Sequence, residues 1–235
     1  MRRGAALAAA VVAAWALAAC GSQAQEARKT AFSKGRAQAD ASQLLRESRA
    51  AAYAARSVRV SGSIKSSRGP ITVDVEIVAN RGGTGHVVLN GHPLELTVVD
   101  GHTYLRAGAR LYGEAGAGHA ARLANRWIEV PAGSPSATHL AALTSLENLL
   151  GAALSPHGHL YTDGEATVSG RPAIRLRDSA TGTALLVEAA DPHLPVSLEG
   201  PAGQAGVIEL SDWNVPVRLA APAGARTAAK LGSTG

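Results

Sequence analysis

The run Ile71-Thr72-Val73-Asp74-Val75-Glu76-Ile77 is the stretch of sequence that most directly specifies the fold. Apolar and polar side chains alternate along it, and because successive side chains of a strand point to opposite faces, its four apolar residues share one face. An earlier run that contains Val58, Val60 and Ile64 has a similar pattern. The two runs therefore predict half-buried strands of a sheet with one apolar face and one solvated face.

Two tight turns organise the residues that follow. Asn90-Gly91 and Asp100-Gly101 each separate strand-like segments, and both dipeptides suit the positive backbone dihedrals of a two-residue hairpin. They predict an antiparallel meander over residues 86–106. The apolar face of this meander is predicted to carry Leu94, Leu96, Val98, Tyr104 and Val88.

A helix is predicted before the first strand. Asp40 followed by Gln43 has the form of a capping box, and apolar residues then recur at helical spacing. We therefore expect a helix from Ala41 to Arg56. After the meander, residues 113–125 predict a short helix, and Trp127-Ile128-Glu129-Val130 predicts a strand.

A leucine-rich segment follows in the middle of the chain. Ser134-Pro135 offers an N-cap and a first-turn proline, and leucines then recur at near-helical spacing from Leu140 to Leu154. These features predict one continuous helix in which Glu147 is the only formal charge between residues 137 and 154. A helix so poor in charge has to be covered on most sides, either by protein or by a bound molecule.

The remaining chain returns to short strands. Turn dipeptides at residues 163–164, 169–170 and 181–182 punctuate apolar runs and predict a second meander. The segment from Val207 to Trp213 predicts a last strand. Glu209 and Asp212 near Trp213 could suggest paired carboxylates, but the alternation of Glu209 with apolar neighbours favours a structural role.

The first nineteen residues have the three-part design of an export signal. Arg2 and Arg3 form a positive start, and residues 4–19 are apolar or small over a length too short to span a bilayer. Leu17-Ala18-Ala19-Cys20 resembles the bacterial lipobox, which implies cleavage before Cys20 and acylation of its thiol. An ordinary secretory signal, or a buried unreactive cysteine, is the alternative.

Four parts of the chain are predicted from these features. They are a signal peptide over 1–19, an acylated N-terminus with a flexible tether over 20–39, one folded domain over 40–222, and a disordered tail over 223–235. The tether is expected because this stretch lacks periodic apolar residues. The expected location is the outer face of the cytoplasmic membrane, where two or more acyl chains would hold the protein firmly.

Composition and motifs give little reason to expect an enzyme. The chain has 23 basic and 18 acidic side chains and a net charge of +5, part of which leaves with the signal, so nucleic acid is not implied. Signatures of serine hydrolases, zinc proteases and zinc ribbons do not occur in the sequence. We therefore predict a non-enzymatic protein that needs no cofactor.

Two weaker motifs suggest a metal site and a nucleotide site. His157-Gly158-His159 could bring two imidazoles together, but a metal would need a third ligand, and His86, His92 and His102 lie near hairpins where they can point to different faces. Solvated loop histidines are favoured. Residues 116–121 imitate a dinucleotide-binding loop, but they do not sit in a parallel βαβ unit.

Four short patterns occur in a characteristic order. They are Gly101-His102-Thr103-Tyr104-Leu105, Arg126-Trp127-Ile128-Glu129-Val130-Pro131, Asp191-Pro192-His193-Leu194-Pro195 and Ser211-Asp212-Trp213-Asn214-Val215-Pro216. Together with the lipobox, the tether and the order of elements, they resemble the LppX/LprG group of actinobacterial lipoproteins, which share a LolA-like fold. The resemblance covers about residues 41–222. It implies an α+β fold, in which a strongly curved antiparallel sheet forms an incomplete β-barrel with covering helices.

The resemblance also implies a function. Some members of the group hold acylated lipids against the concave face, so we expect a cell-envelope lipoprotein that binds or transfers an acylated lipid or glycolipid in an apolar cavity. The alternative is an envelope protein-interaction or sensor module with a protein partner and no lipid ligand. The candidate lining residues are Val73, Val75, Ile77, Leu94, Leu96, Val98 and Tyr104 on the sheet, and Leu143, Leu146 and Leu150 on the covering helix. The same residues could instead form a packed core, because this alternation builds any one-sided sheet.

Overall fold

The alternating run at residues 71–77 lies within a strand, as its pattern predicts. That strand belongs to a twelve-stranded sheet, which is curved and unclosed as the family resemblance implies. The computed structural model describes residues 40–66, 69–115, 117–151, 154–201 and 206–227. The signal peptide, Cys20 and the tether that the sequence predicts lie outside the described residues.

The described elements follow the predicted order closely. The helices are α1 (40–54), α2 (Ala117–Leu123), α3 (Pro135–Ala142) and α4 (Leu146–Gly151), with a 3₁₀ helix at Ala109–Ala115. The strands are β1 (Ser57–Ser66), β2 (Gly69–Val78), β3 (Gly82–Leu89), β4 (His92–Val99), β5 (His102–Ala107), β6 (Ile128–Val130), β7 (Leu160–Val168), β8 (Arg171–Asp178), β9 (Ala184–Glu188), β10 (Pro195–Glu199), β11 (Val207–Ser211) and β12 (Arg226–Thr227).

The strands are arranged in the order β12-β6-β5-β4-β3-β2-β1-β11-β10-β9-β8-β7. Neighbours run antiparallel, apart from the short parallel pair of β12 with β6. Strand β11 inserts between β1 and β10, so it joins the half of the sheet built from β1–β6 to the half built from β7–β10. Within the described ranges the end strands β7 and β12 do not pair, which leaves the barrel incomplete.

The turn at residues 100–101 determines which side chains of β4 and β5 share a face. In its register Leu96 lies opposite Leu105, and Thr97 lies opposite Tyr104. Leu105 is buried with Leu96 in the main core, whereas Tyr104 is only partly buried and lies on the other face. The prediction that Tyr104 faces inward is therefore wrong.

The turn at residues 90–91 has the same effect one hairpin earlier. It places Val87 opposite Leu94, and Val87 is fully buried. Val88 pairs with Pro93 and points to the other side of β3. Val87 thus occupies the apolar face in the place that the sequence prediction gave to Val88.

The two faces of the sheet differ in chemistry. On the face opposite the main core, cross-strand ion pairs recur, such as Arg59 with Asp74 at 2.8 Å and Arg171 with Glu188 at 2.8 Å. Helices cover the other, concave face with apolar residues. The core there includes Val58, Val60, Val73, Val75, Val87, Leu94, Leu96, Leu176, Val187 and Leu210 from strands, and Ala41, Leu45, Ala52, Leu140 and Leu150 from helices.

The leucine-rich segment forms two short helices, so the prediction of one continuous helix is wrong. Leu143 caps the end of α3, and the hydroxyl of Thr144 donates to the carbonyl of Ala141 at 3.0 Å. The hydroxyl of Ser145 then accepts from the backbone N–H of Asn148 at the start of α4. These local hydrogen bonds compete with the continuing helix ladder and favour a break. None of the helices in the described residues has both the length and the apolar character needed to cross a bilayer.

Two residues of the segment 223–235, which the sequence predicts to be disordered, lie in strand β12. Arg226 and Thr227 pair with Ile128 and Glu129, and the N–H of Arg226 donates to the carbonyl of Trp127 at 3.0 Å. Backbone pairing with β6 therefore shortens the predicted disordered tail. Residues 228–235 lie outside the described residues.

Candidate functional site

An apolar cavity of about 420 Å³ lies between the concave face and its covering helices. It is centred on the half of the sheet around β11. Its apolar wall consists of Val60, Ile64, Val73, Leu160, Leu176, Ala184, Leu185, Leu198, Ile208 and Leu210 from strands, together with Leu45, Leu143, Leu149 and Leu150 from the helical side. The cavity is therefore lined by aliphatic side chains on both its sheet wall and its helix wall.

The buried residues of the concave face differ in whether they line the cavity. Around β2–β4, Val75, Val87, Leu94 and Leu96 are at most 3% exposed and line neither this cavity nor the second space described below. Around β8–β11, Leu143 and Leu149 are only partly buried at the cavity wall.

The ten predicted lining residues separate into four groups. Val73, Leu143 and Leu150 line the apolar cavity. Ile77, Val98 and Leu146 line a second space, described below. Val75, Leu94 and Leu96 lie in the packed core, and Tyr104 lies on the other face. The structure thus brings three of the predicted residues together at the apolar cavity.

Polar groups form the rim of the apolar cavity. They include Lys65 at the end of β1, His157 before β7, Thr181 and Thr183 between β8 and β9, and Glu199 at the end of β10. Glu199 forms an ion pair with Arg175 at 3.2 Å. The rim is therefore polar, whereas the wall behind it is aliphatic.

Asp178 fixes part of the rim through hydrogen bonds to the backbone. Its carboxylate accepts from the backbone N–H of His157 and from the backbone N–H of Ala180, each at 2.8 Å. Burial by itself would raise the pKa of this carboxyl group, but hydrogen bonds from His157, Ala180 and Thr181 outweigh it and hold the pKa below its ordinary value. Asp178 therefore acts as an ionised structural anchor that fixes the segment before β7 to the end of β8.

A second space of about 650 Å³ lies at the other end of the concave face. Its lining is mixed: polar residues such as Asn80, Ser145 and Glu147 lie beside apolar ones such as Ile77 and Val98. Arg49 lies 5.9 Å from the ring centre of Tyr53, and Arg81 pairs with Asp100 at 3.2 Å near the same groove. This space therefore differs from the apolar cavity in carrying charged side chains among its lining residues.

The lining that the sequence interpretation missed comes from the second half of the chain. Leu176, Leu185, Ile208 and Leu210 are buried at the cavity wall, and each lies in an alternating run visible in the sequence. Alternation predicts that they face inward. It does not predict which part of a one-sided sheet remains hollow.

The protein thus combines an open curved sheet with helices on its concave face and an aliphatic cavity between them. Comparison with solved structures identifies that shape among mycobacterial proteins. LprF from Mycobacterium bovis matches with a TM-score of 0.56 and 16% identity over 79% of this chain and 98% of LprF. The lipoprotein LppX from Mycobacterium tuberculosis matches with a TM-score of 0.50 and 16% identity over 77% of this chain and 98% of LppX.

These matches confirm the fold that the LppX/LprG resemblance predicts. No family model matches the chain, and no curated protein matches it. At 16% identity the likeness to LprF and LppX concerns the fold alone. Function has to be argued from the site.

Proposed function

We propose that this protein is a cell-envelope lipoprotein that binds or transfers lipid and acts as a carrier, not as an enzyme. The observation that carries the proposal is the aliphatic cavity of about 420 Å³ behind a polar rim. Its volume falls in the range of roughly 300–1,000 Å³ that is typical of small-molecule sites. An acyl chain would occupy the wall region and leave a polar head at the rim.

Burial of methylene groups would supply the affinity. Each buried methylene contributes about 0.8 kcal/mol, so about ten methylenes give roughly 8 kcal/mol before the costs of association are subtracted. A gross value of this size corresponds at best to a dissociation constant near about 1 μM. Such affinity is compatible with a carrier, which has to release its ligand.

Anchoring through Cys20 completes the proposal. The acylated thiol and the tether over residues 20–39 would place the cavity close to a membrane surface from which lipid can enter. Metabolic labelling with an alkyne analogue of palmitate should mark the wild-type chain and leave Cys20→Ser unmarked. Equal labelling of both chains would contradict lipid attachment at Cys20.

Native mass spectrometry of the full chain carrying Cys20→Ser tests lipid binding without the protein's own acyl groups. We expect a co-purified lipid mass that organic extraction removes. Leu198→Trp, at the cavity wall on β10, should reduce this bound lipid because the indole fills the space that an acyl chain needs.

Val207→Trp is the matched control. Val207 lies on β11, the strand next to Leu198, but points away from the cavity and is 53% exposed. It should leave the lipid content unchanged, and both variants should keep a cooperative thermal transition. The alternative is an interaction or sensor module. It would be favoured if the Cys20→Ser chain carried no lipid, with or without the tryptophan substitutions, and crosslinking in cells joined the protein to a stoichiometric protein partner.

A further inference from the structure

We infer that the end of the sheet that carries the cavity rim, here called the rim end, is a docking surface for an anionic lipid bilayer. This inference goes beyond lipid binding in the cavity, and it rests on the proposed anchor at Cys20 for bringing the protein to a membrane. Three observations carry it: the directions of the strands, the distribution of charge between the two ends of the sheet, and the course of α1.

Strand direction places the connection between β5 and β6 at the rim end. Strand β1 ends at the rim with Lys65, and each strand from β1 to β5 runs antiparallel to the one before it. Strands β3 and β5 therefore also end at the rim end, and β6 and β12 begin there. Residues 108–127 and the first residue of β12 thus belong to the same end of the sheet as the rim.

Basic side chains collect at the rim end. Residues 108–127 contain three arginines and one glutamate, so this connection has a net charge of +2. The exposed cations of the rim end are Lys65, Arg110, Arg122, Arg126 and Arg226. None of the five forms an ion pair with a described acidic side chain. They are therefore available to an anionic surface.

The acidic residues of the rim end do not cancel this charge. Three of them form ion pairs with other arginines: Glu95 with Arg106, Asp163 with Arg177, and Glu199 with Arg175. The acidic residues that remain are Asp40, Glu114 and the ionised Asp178. Set against the five cations, they leave the rim end with a net charge of +2.

The opposite end of the sheet has the opposite sign. Its connections between strands, together with the turns next to α1 and β11, contain Arg56 and Arg81 against Asp100, Asp191 and Asp212, a net charge of −1. The side chains of Asp191 and Asp212 are 95% and 54% exposed. A negatively charged bilayer would therefore attract the rim end and repel the opposite end.

Helix α1 brings the anchor to the rim end. Leu45 lines the apolar cavity, whereas Arg49 and Tyr53, later in the helix, line the second space beside the turns at the opposite end. The first residue of α1, Asp40, therefore lies toward the rim end. The segment that joins it to Cys20 spans at most about 70 Å when extended, a reach that by itself leaves the orientation of the domain free. The charge difference between the ends would select the docked orientation.

Docking would bring the rim of the cavity to the lipid head groups. Each basic residue near an anionic membrane surface strengthens the attraction roughly fivefold. The effect is confined to about 8–10 Å from the surface at ordinary salt concentrations, so it acts only when the rim end faces the bilayer. A lipid could then pass between the bilayer and the cavity without crossing bulk water.

The chain's own tryptophans report which end faces the bilayer. Trp127 lies next to Arg126 at the rim end, and Trp213 follows β11 at the opposite end. The test uses the full acylated chain carrying Trp15→Phe, bound to phosphatidylcholine vesicles that contain phosphatidylglycerol and a lipid with a nitroxide on its head group. We expect the nitroxide to quench tryptophan fluorescence, and we expect Trp127→Phe to remove that quenching. Quenching that persists in Trp127→Phe would place Trp213 at the membrane and overturn the inference.

The charge step has its own variants. Arg122→Gln combined with Arg126→Gln should lower the ratio of docked to undocked chains roughly fivefold for each arginine removed, and quenching of Trp127 should fall accordingly. Arg49→Gln combined with Arg56→Gln, which removes two exposed arginines toward the opposite end, is the matched control and should leave quenching unchanged. Equal losses in the two double variants would refute a docking surface at the rim end. Each variant should keep a cooperative thermal transition.

Salt and lipid composition provide a second measurement that needs no substitution. Raising the salt concentration to about 1 M shortens the Debye length to about 3 Å and should abolish quenching of Trp127. Vesicles of phosphatidylcholine alone should give the same loss while the acylated chain still floats with them. Quenching that survives both changes would show that the anchor alone sets the orientation, against the inference.

The proposed function has a separate readout. Native mass spectrometry detects lipid in the cavity without any vesicle, so a chain that carries lipid but fails to dock would overturn this inference and leave the proposed function intact. A chain that does not float with vesicles of either composition would overturn docking and contradict the anchor at Cys20 together.

Discussion

Replacing Gly62 by alanine is expected to destabilise the sheet at the junction of its two halves. Gly62 lies on β1, opposite Val73 of β2 and Ile208 of β11. Its φ of +145° is one that residues with a side chain rarely adopt. A Cβ built there would overlap the carbonyl oxygen of Val207 and lie 2.9 Å from the Cα of Ile208. Both contacts are with backbone atoms, so no side-chain rotation can relieve them.

The magnitude follows from two costs. An unfavourable backbone conformation costs about 1–3 kcal/mol, and overpacking costs about another 1–3 kcal/mol. Gly62→Ala should therefore lower the free energy of unfolding by about 2–6 kcal/mol. For a domain of this size that corresponds to a fall in Tm of roughly 2–4 °C for each kcal/mol.

Thermal unfolding followed by circular dichroism measures the effect, with Gly91→Ala as a matched control. Gly91 has a φ of +80°, but a Cβ there would meet nothing within 4 Å among the described residues. The control keeps the conformational cost and removes the overlap, so its Tm should fall much less. Equal Tm values for the two variants would refute the reasoning that close approach of β1 and β11 requires glycine.

Three further changes test the core, the rim and α1. Leu176→Ala removes a fully buried side chain from the cavity wall and should lower the free energy of unfolding by about 2–5 kcal/mol in urea titrations; a loss under about 1 kcal/mol would mean that the wall collapses freely. Asp178→Asn should be less stable than wild type at pH 7. Because the folded pKa of Asp178 lies below its ordinary 3.8, its stabilisation is complete above that pH and is lost as pH falls through the folded pKa, so the urea midpoints should converge only below pH 3.8. If the difference in urea midpoint between wild type and Asp178→Asn stayed the same at acidic pH, this role of Asp178 would be contradicted. Ser48→Ala should raise the free energy of unfolding by about 1 kcal/mol, since the buried Ser48 hydroxyl has no hydrogen-bond partner among the described residues; a lower Tm would reveal a bond to water.

Sequence alone specifies the sheet because its signals are local. The alternation at residues 71–77 and the dipeptides at residues 90–91 and 100–101 fix strand identity and antiparallel pairing within a few residues of one another. The turn at residues 100–101 also contains the information that places Tyr104 on the outer face. A two-residue turn at residues 100–101 pairs Val99 with His102, and counting outward from that pair places Tyr104 opposite Thr97.

The helical cover and the hollow depend on less local information. Leucine spacing from Leu140 to Leu154 is compatible with one helix, and only the hydrogen bonds of Thr144 and Ser145 show where it breaks. The cavity then depends on how α1 and α4 settle over strands far away in the sequence. The alternation around Leu176 or Ile208 predicts which face of the sheet each side chain lies on. It does not predict how far that face lies from the helices that cover it.

The position of β11 has a consequence for how the protein reaches its native state. Arg59 near the start of the domain pairs with Ser211 near its end. Pairings between segments so far apart in sequence form slowly, because a long loop has to close first. A chain synthesised from its N-terminus has to deliver nearly all of its length before the two halves of the sheet can join. Until then, the edge of β1 that β11 later covers stays unpaired, and an unpaired strand edge is open to aggregation.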